Sequence, residues 1–356
     1  MDIEERIALV TKYPTVECIT EDELRELFQT NRTLKHYIGF EISGKIHLGT
    51  GLMTAMKIKD LQKAGIKTTV FLADYHAWIN NKLGGNLSRI QEVAKKYFIP
   101  CMKSLGLENC QFVLASELYK NSDYWKNVLN IAKSTTMNRM LRCTTIMGRA
   151  SVSSDLSADC SLIFYPAMQC ADIIELDVDI MHGGMDQRKV HMLYRDIREK
   201  INQRSRVAIH TKLLMGLQGP KRMGFEEDEK LDSAISSKMS KSNPMSCIFV
   251  HDTEDEIKKK LKEAYCPAGD TANPVCELAE VLIWLNGKLT IERPTKFGGD
   301  TEYASPSELY TDYKAKKIHP LDLKNAVATA LAKALEQSRN FFMANKELIK
   351  LAENKD

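Results

Sequence analysis

A chain of 356 residues is long for one domain and comfortable for two. With 44% hydrophobic and 27% charged residues it has an ordinary globular make-up, and a net charge of +3 is too near neutral to mark a polyanion-binding surface by itself. Nine cysteines with no CxxC pair argue for reduced thiols and against a zinc centre, the start MDIEERIALV does not read as a signal peptide, and no run approaches the roughly 18 apolar residues of a membrane span.

Residues 1–36 read as an N-terminal helical segment, two short helices with Ile3, Ile7, Leu24 and Leu27 among charges and Thr20 with Glu23 as a capping box. Residues 37–40 suit a buried strand, Ser43 and Gly44 a turn, and residues 52–61 show apolar positions at helical spacing. Such a strand–loop–helix junction offers backbone N–H groups and a positive helix end to an anion. Gly39, Gly44 and Lys45 stand there at P-loop spacing, but a P-loop needs Ser or Thr next to hold Mg²⁺ and this chain has Ile46. The same junction carries His47-Leu48-Gly49-Thr50. Residues 67–73 (KTTVFLA) read as a buried parallel strand, ending in Asp74-Tyr75-His76 where open α/β sheets bind ligands. Asp74 and His76 fit ligand contacts there, or equally a helix cap and a satisfied histidine.

Further along, residues 88–106 predict an amphipathic helix presenting Ile90, Val93, Tyr97 and Phe98, and residues 111–115 a strand. Residues 124–147 predict one long helical stretch rich in Met and Leu, part of an insertion of about 115–160 that either packs against a partner or adds to the core. The small polar run 150–160 reads as a loop. In the next helix Tyr165, Gln169 and Asp172 fall at i, i+4 and i+7, a polar lining on an otherwise apolar helix. A strand is expected at 176–181, running into Gly183 and Gly184, which allow close backbone approach to a ligand. A helix follows at 190–204, a short strand at 207–210 and a charged loop at 215–235. The first domain, 37–245, closes after the segment Lys238-Met239-Ser240-Lys241-Ser242. From 246 to 356 the pattern is helical: 253–264 with an N-cap at Thr253, 276–286, 306–316 and 321–351, with one weak strand at 289–291.

Lysines flanking small polar residues on a loop suit a pyrophosphate leaving group, because phosphoryl and nucleotidyl transfer need positive charge where negative charge develops. The KMSKS string, about 190 residues after His47, together with His47-Leu48-Gly49, resembles the paired signatures of class I aminoacyl-tRNA synthetases. Over about 37–342 the chain resembles tyrosyl-tRNA synthetases of the short archaeal and eukaryotic type.

That resemblance implies an α/β fold: a Rossmann-like doubly wound parallel sheet with the insertion as a dimer interface, then a small, mainly helical anticodon-binding domain. It implies activation of L-tyrosine with ATP and Mg²⁺, transfer to tRNA(Tyr), a cytoplasmic homodimer, no membrane and no structural metal. Tyr37 and Asp172 would contact the phenol hydroxyl, and Tyr165, Gln169 and Gln187 the α-amino group. Gly39, Glu41 and Asp74 would line the same pocket. His47 and Gly49 would serve ATP, with Thr50, Met239, Ser240 and Ser242 beside it, and Lys238 and Lys241 the pyrophosphate. Arg188 and Lys189 match positions near the acceptor stem, and Phe297, His319 and Asp322 the anticodon-reading positions. Thr50 departs from the second histidine of many class I enzymes. Two rivals stand beside this. A tryptophan enzyme shares the fold, but an indole offers one N–H and no hydroxyl. A catalytically impaired, RNA-binding paralogue rests on Thr50 alone, against an intact KMSKS.

Overall fold

Six segments form one sheet: β1 (Thr15–Ile19), β2 (Lys35–Glu41), β3 (Lys67–Ala73), β4 (Gln111–Leu114), β5 (Ile180–Gly184) and β6 (Val207–Thr211), in the order β1-β6-β5-β2-β3-β4. The computed structural model describes residues 1–353 apart from Asn31, residues 149–158, residues 224–228 and Ser242. The expected loop at 150–160 therefore lies almost wholly outside the described residues, and so does Ser242. Five strands run parallel and β1 pairs antiparallel with β6 at the edge. The doubly wound parallel sheet expected from the sequence is present. Its strand order reverses between β2 and β5, and in such sheets the crevice at the carboxyl ends there is the ligand site.

Several expected elements differ in their particulars. The N-terminal segment is not only helical: between the helices Ile3–Thr11 and Glu21–Gln29 lies β1, a five-residue half-exposed strand too short to show a period. Thr20 and Glu23 do form the reciprocal capping box. Lys57, fully buried, donates to the carbonyls of Leu9, Val10 and Lys12 and so binds the end of the first helix to the helix Thr54–Lys63. The strand expected at 176–181 begins four residues later, because Asp177 takes a left-handed backbone (φ 45°) that turns the chain after the preceding helix. The stretch 124–147 is not one helix. It breaks after Lys133, Thr136 caps a new helix by accepting from the Arg139 N–H at 3.2 Å, and residues Thr144–Met147 tighten into a 3₁₀ turn. Ser134, Thr135 and Thr136 compete for backbone hydrogen bonds there and favour a cap over a helix interior. The helix 88–106 is interrupted by a π-helical turn at Ala94–Phe98, the helix expected at 190–204 runs Arg188–Ile197, and the expected loop 215–235 contains the start of a helix, Glu229–Ser236.

Beyond the sheet come the helices Glu254–Glu263, Pro274–Asn286, Pro306–Lys314, Pro320–Ala334, Glu336–Ala344 and Lys346–Leu351, with a two-stranded ribbon of β7 (Leu289–Ile291) and β8 (Thr301–Tyr303). Three of these helices start with proline behind the caps Asn273, Ser305 and His319, where the missing N–H costs nothing. β8 has three residues and no readable pattern, so only its partner β7 was legible. Across residue 245 the chain stays engaged with the loop that follows β2: Leu48 donates to the Ile248 carbonyl at 3.0 Å and Val250 to that of Ile46 at 3.1 Å. Buried apolar residues from both sides form one continuous cluster.

Candidate active site

A cleft of about 500 Å³ opens at the carboxyl ends of β2 and β5. The end of β2, including Tyr37, Gly39 and Glu41, forms part of its wall. Tyr37 is buried, its ring edge-on to Phe71. A Cβ on Gly39 would sit 3.6 Å from the Tyr37 ring and 3.7 Å from Phe71, in ordinary contact, so its absence leaves room for a ligand rather than relieving a clash. The helix Ser161–Glu175 turns Tyr165, Gln169 and Asp172 toward the same space, as its spacing predicted.

Asp172 is the buried centre of this end. One carboxylate oxygen accepts from the hydroxyls of both Tyr119 and Tyr124 at 3.0 Å, and the other lies 3.7 Å from His76 Nε2. Burial pushes its carboxyl well above the usual range, while the two phenol hydrogen bonds favour the charged form. Burial depresses the His76 imidazole to about 3, so that ring is neutral. Tyr119 and Tyr124 escaped the sequence reading, because nothing local pairs them with a residue some fifty positions later. Their signal was indirect: a buried carboxylate needs donors. Asp74, by contrast, is not on the cleft wall. Its carboxylate accepts from the N–H groups of Tyr75 and Ser116 and from Gln91 Nε2, so it ties a helix start to the next strand's end, and His76 faces the ligand space instead.

Tyr165 donates to Glu41 at 3.4 Å and Asn80 Nδ2 to the same oxygen at 2.6 Å, with Lys82 Nζ 3.5 Å from the other. Burial raises the Glu41 carboxyl, opposed by Lys82 and Asn80. Gln169 Nε2 donates to Gln187 Oε1 at 3.3 Å, and Gln187 Nε2 to the Ile146 carbonyl at 3.1 Å.

At the opposite end stands His47. Its Nδ1 accepts from the Gly49 N–H at 3.2 Å, which leaves the proton on Nε2, 3.4 Å from Thr50 Oγ1. Burial and then the nearby charges of Lys241 and Lys238 lower its pKa to about 3. The imidazole is thus a neutral donor on the cleft wall. Gly51, which the sequence reading passed over, is the glycine that packing demands: a Cβ there would meet Val250 at 2.6 Å. Met239 is buried and its N–H donates to the Leu214 carbonyl at 2.6 Å, fixing the KMSKS segment beside the cleft, where Ser240 and Thr50 also line the wall. Lys238 Nζ pairs with Asp186 at 2.7 Å; burial opposes its charge, but Asp186 outweighs this and raises its pKa. Lys241 is lowered to about 8 by burial, against the attraction of Glu41.

The residues expected to meet RNA are dispersed. Arg188 Nε donates to both oxygens of Glu17 at 2.9 Å, and Lys189 Nζ to Thr145 Oγ1 at 3.0 Å. Phe297 is 63% exposed in the turn between β7 and β8. His319 caps the helix Pro320–Ala334 through Nδ1, accepting from the Leu321 N–H at 3.2 Å, with Asp322 in its first turn. Arg293 ties the two loops together by donating to the carbonyls of Gly299 and Lys317.

This geometry can be set beside known proteins. Residues 29–336 match the family of tRNA synthetases class I (W and Y). The chain is 48% identical over 370 residues to the tyrosine–tRNA ligase of Thermococcus sibiricus, covering 99% of this chain and 98% of that one, and 48% identical to that of Pyrococcus furiosus with the same coverage. A crystal structure of the tyrosyl-tRNA synthetase of Pyrococcus horikoshii, complexed with L-tyrosine, superposes with a TM-score of 0.92 at 46% identity, covering 99% of each chain. The chain belongs to the class I tRNA synthetases of the tryptophan and tyrosine family, and within it to the tyrosine–tRNA ligases.

Proposed function

We propose that this cleft carries out both steps of a tyrosine–tRNA ligase with the residues described above. The carboxylate of L-tyrosine attacks the α-phosphate of ATP, supplied as its Mg²⁺ complex, giving tyrosyl-adenylate and pyrophosphate. The terminal ribose hydroxyl of tRNA(Tyr) then takes the tyrosyl group. No covalent enzyme intermediate is required, so positioning and electrostatics carry the rate.

The observation that carries the residue assignment is the state of Asp172. One oxygen is occupied by Tyr119 and Tyr124, and the other, 3.7 Å from the neutral His76 ring, is the acceptor proposed for a substrate phenol, Asp172 and Tyr37 both lying on the cleft wall. Tyr37 completes that contact. Tyr165, Gln169 and Gln187 hold the α-amino group, with Glu41 supplying negative charge and Gly39 giving room. Asp74 acts on this pocket only by holding the strand ends. Neutral His47 donates from Nε2 to the α-phosphate, Gly49 and Thr50 border the nucleotide, and Lys238 and Lys241 meet the departing pyrophosphate. Met239 and Ser240 place those lysines.

Arg188 and Lys189 are proposed to meet the acceptor stem on release from Glu17 and Thr145, and Phe297, His319 and Asp322 the anticodon. The part from about 246 onward is then the anticodon unit. A homodimer through the insertion is supported by the exposed apolar side chains of Trp125, Leu129 and Met137, with exposed Phe164 on the helix that follows it. A cytoplasmic location is supported by nine free thiols. Among the described residues no helix is long and apolar enough to cross a membrane.

ATP–pyrophosphate exchange with each amino acid tests the assignment. A buried polar pair left unmatched by phenylalanine is costly, and tyrosine-specific synthetases are themselves the standard case, with discrimination on the order of 10⁵. Comparable exchange with tyrosine and phenylalanine would refute the roles of Tyr37 and Asp172, and exchange with tryptophan instead would favour the sister specificity.

A further inference from the structure

A cation on the cleft wall, Lys212, plays no part in the roles above. It follows β6, and its ammonium is taken by two carboxylates of the helix Pro274–Asn286: Glu280 at 2.8 Å and Glu277 at 3.4 Å. The lysine side chain is 28% exposed and the two carboxylates 16% and 17%, so the cluster is only partly shielded. Glu277 does more than neutralise it, for its second oxygen accepts the backbone N–H of Met215 at 2.9 Å.

Met215 lies on a backbone rail to which the KMSKS segment is fastened. Met215 and Lys238 form an isolated antiparallel bridge. The Met239 N–H donates to the Leu214 carbonyl at 2.6 Å, the Gly216 N–H to that of Ser237 at 2.7 Å, and the Leu217 N–H to that of Ser246 at 2.8 Å. The same helical unit grips the far end of the rail, where the Tyr265 N–H donates to the Leu217 carbonyl at 2.8 Å and its ring fills the space a Cβ on Gly219 would need. The lysines at the leaving group are therefore hung from a strip of chain whose position is set by the helical unit.

We propose that Glu277 is a positioning residue for adenylate formation. It holds the rail by its hydrogen bond to Met215, and through the rail it sets where Lys238 and Lys241 meet the leaving pyrophosphate. The inference rests on the assignment of those two lysines to pyrophosphate. What acts is the reach of the side chain to the Met215 N–H; its charge serves Lys212, which Glu280 also satisfies. Any shift of the helix Pro274–Asn286 passes along this contact to the catalytic loop, so the contact also couples the helical unit to the chemistry.

Two conservative variants separate reach from charge. Glu277→Asp keeps the charge but is one methylene too short for the Met215 N–H; Glu277→Gln loses the charge but keeps an oxygen that accepts it. In ATP–pyrophosphate exchange on the full chain, Glu277→Asp should lower kcat by about tenfold, as small misplacements of catalytic groups do. Its tyrosine affinity by equilibrium dialysis should not change. Glu277→Gln and Glu280→Gln should stay within about threefold of the parent, the scale of a partly exposed ion pair. The reverse order, Gln slow and Asp normal, would overturn the inference, and so would loss of kcat and tyrosine affinity together. Lys241→Ala is run alongside. If it leaves exchange unchanged, the assignment of the loop has failed rather than the role of Glu277.

Discussion

The two ends of the cleft hold their polar groups in different ways. At the end proposed for tyrosine, Asp172 is buried and already paired with Tyr119 and Tyr124, and Asp172, Tyr124 and Tyr37 stand within helices or the strand β2 while Tyr119 caps a short helix. At the phosphate end, His47, Lys238 and Lys241 sit on loops. One lysine is paired with Asp186 and the other lies in the field of Glu41 and Lys82, partners that a phosphate must replace or join. The first end is built before the substrate arrives and suits discrimination. On the proposed roles the second is a set of donors and charges that would meet charge appearing only during reaction, where binding energy raises kcat.

Breaking the tyrosine end should have the largest effect. Asp172→Ala leaves a bound substrate phenol without its acceptor, a loss of about 1–3 kcal/mol, so kcat/KM for tyrosine exchange should fall by up to about 10²-fold, while the two orphaned enzyme hydroxyls lower stability instead. Selection against phenylalanine should collapse with it. If tyrosine is still strongly preferred, the phenol is read elsewhere.

Lys241→Ala breaks the other end alone. Losing one donor aimed at developing charge should cost roughly 3 kcal/mol in the rate of adenylate formation, by analogy with an oxyanion-hole donor, with tyrosine binding unchanged. An unaltered pre-steady-state rate refutes the role. The two ends also differ in pH response. The Lys241 pKa lies below its ordinary value, at about 8, and the protonated form is the one that helps. Its contribution is therefore present below about pH 8 and lost as pH rises through it. Since kcat/KM reports the free enzyme, that parameter for ATP should fall on the alkaline side, and Lys241→Arg should move the limb upward.

The smallest effect belongs to a site remote from both ends. Asp322→Ala should raise the KM for tRNA(Tyr) by roughly tenfold, the 1–3 kcal/mol of one base-edge contact, and leave ATP–pyrophosphate exchange untouched. Because His319 caps the helix that starts there, loss of thermal stability and exchange together would make Asp322 structural.

What the sequence determined is whatever a local period or an unbroken string can carry. The i, i+4, i+7 spacing set Tyr165, Gln169 and Asp172 on one face of a helix, the capping box at Thr20 formed as written, and the N-cap expected at Thr253 formed and gained Glu256 as its reciprocal partner. The KMSKS string and the HxG triplet named the chemistry. Pairings between distant residues have no period and were decided by packing alone: Tyr119 and Tyr124 on Asp172, Asp186 on Lys238, Glu277 on Met215, β1 on β6. The same holds for the choice between Asp74 and His76. Both stand at the end of β3, but the free N–H groups of Tyr75 and Ser116 captured the carboxylate, and only the imidazole was left to face the ligand.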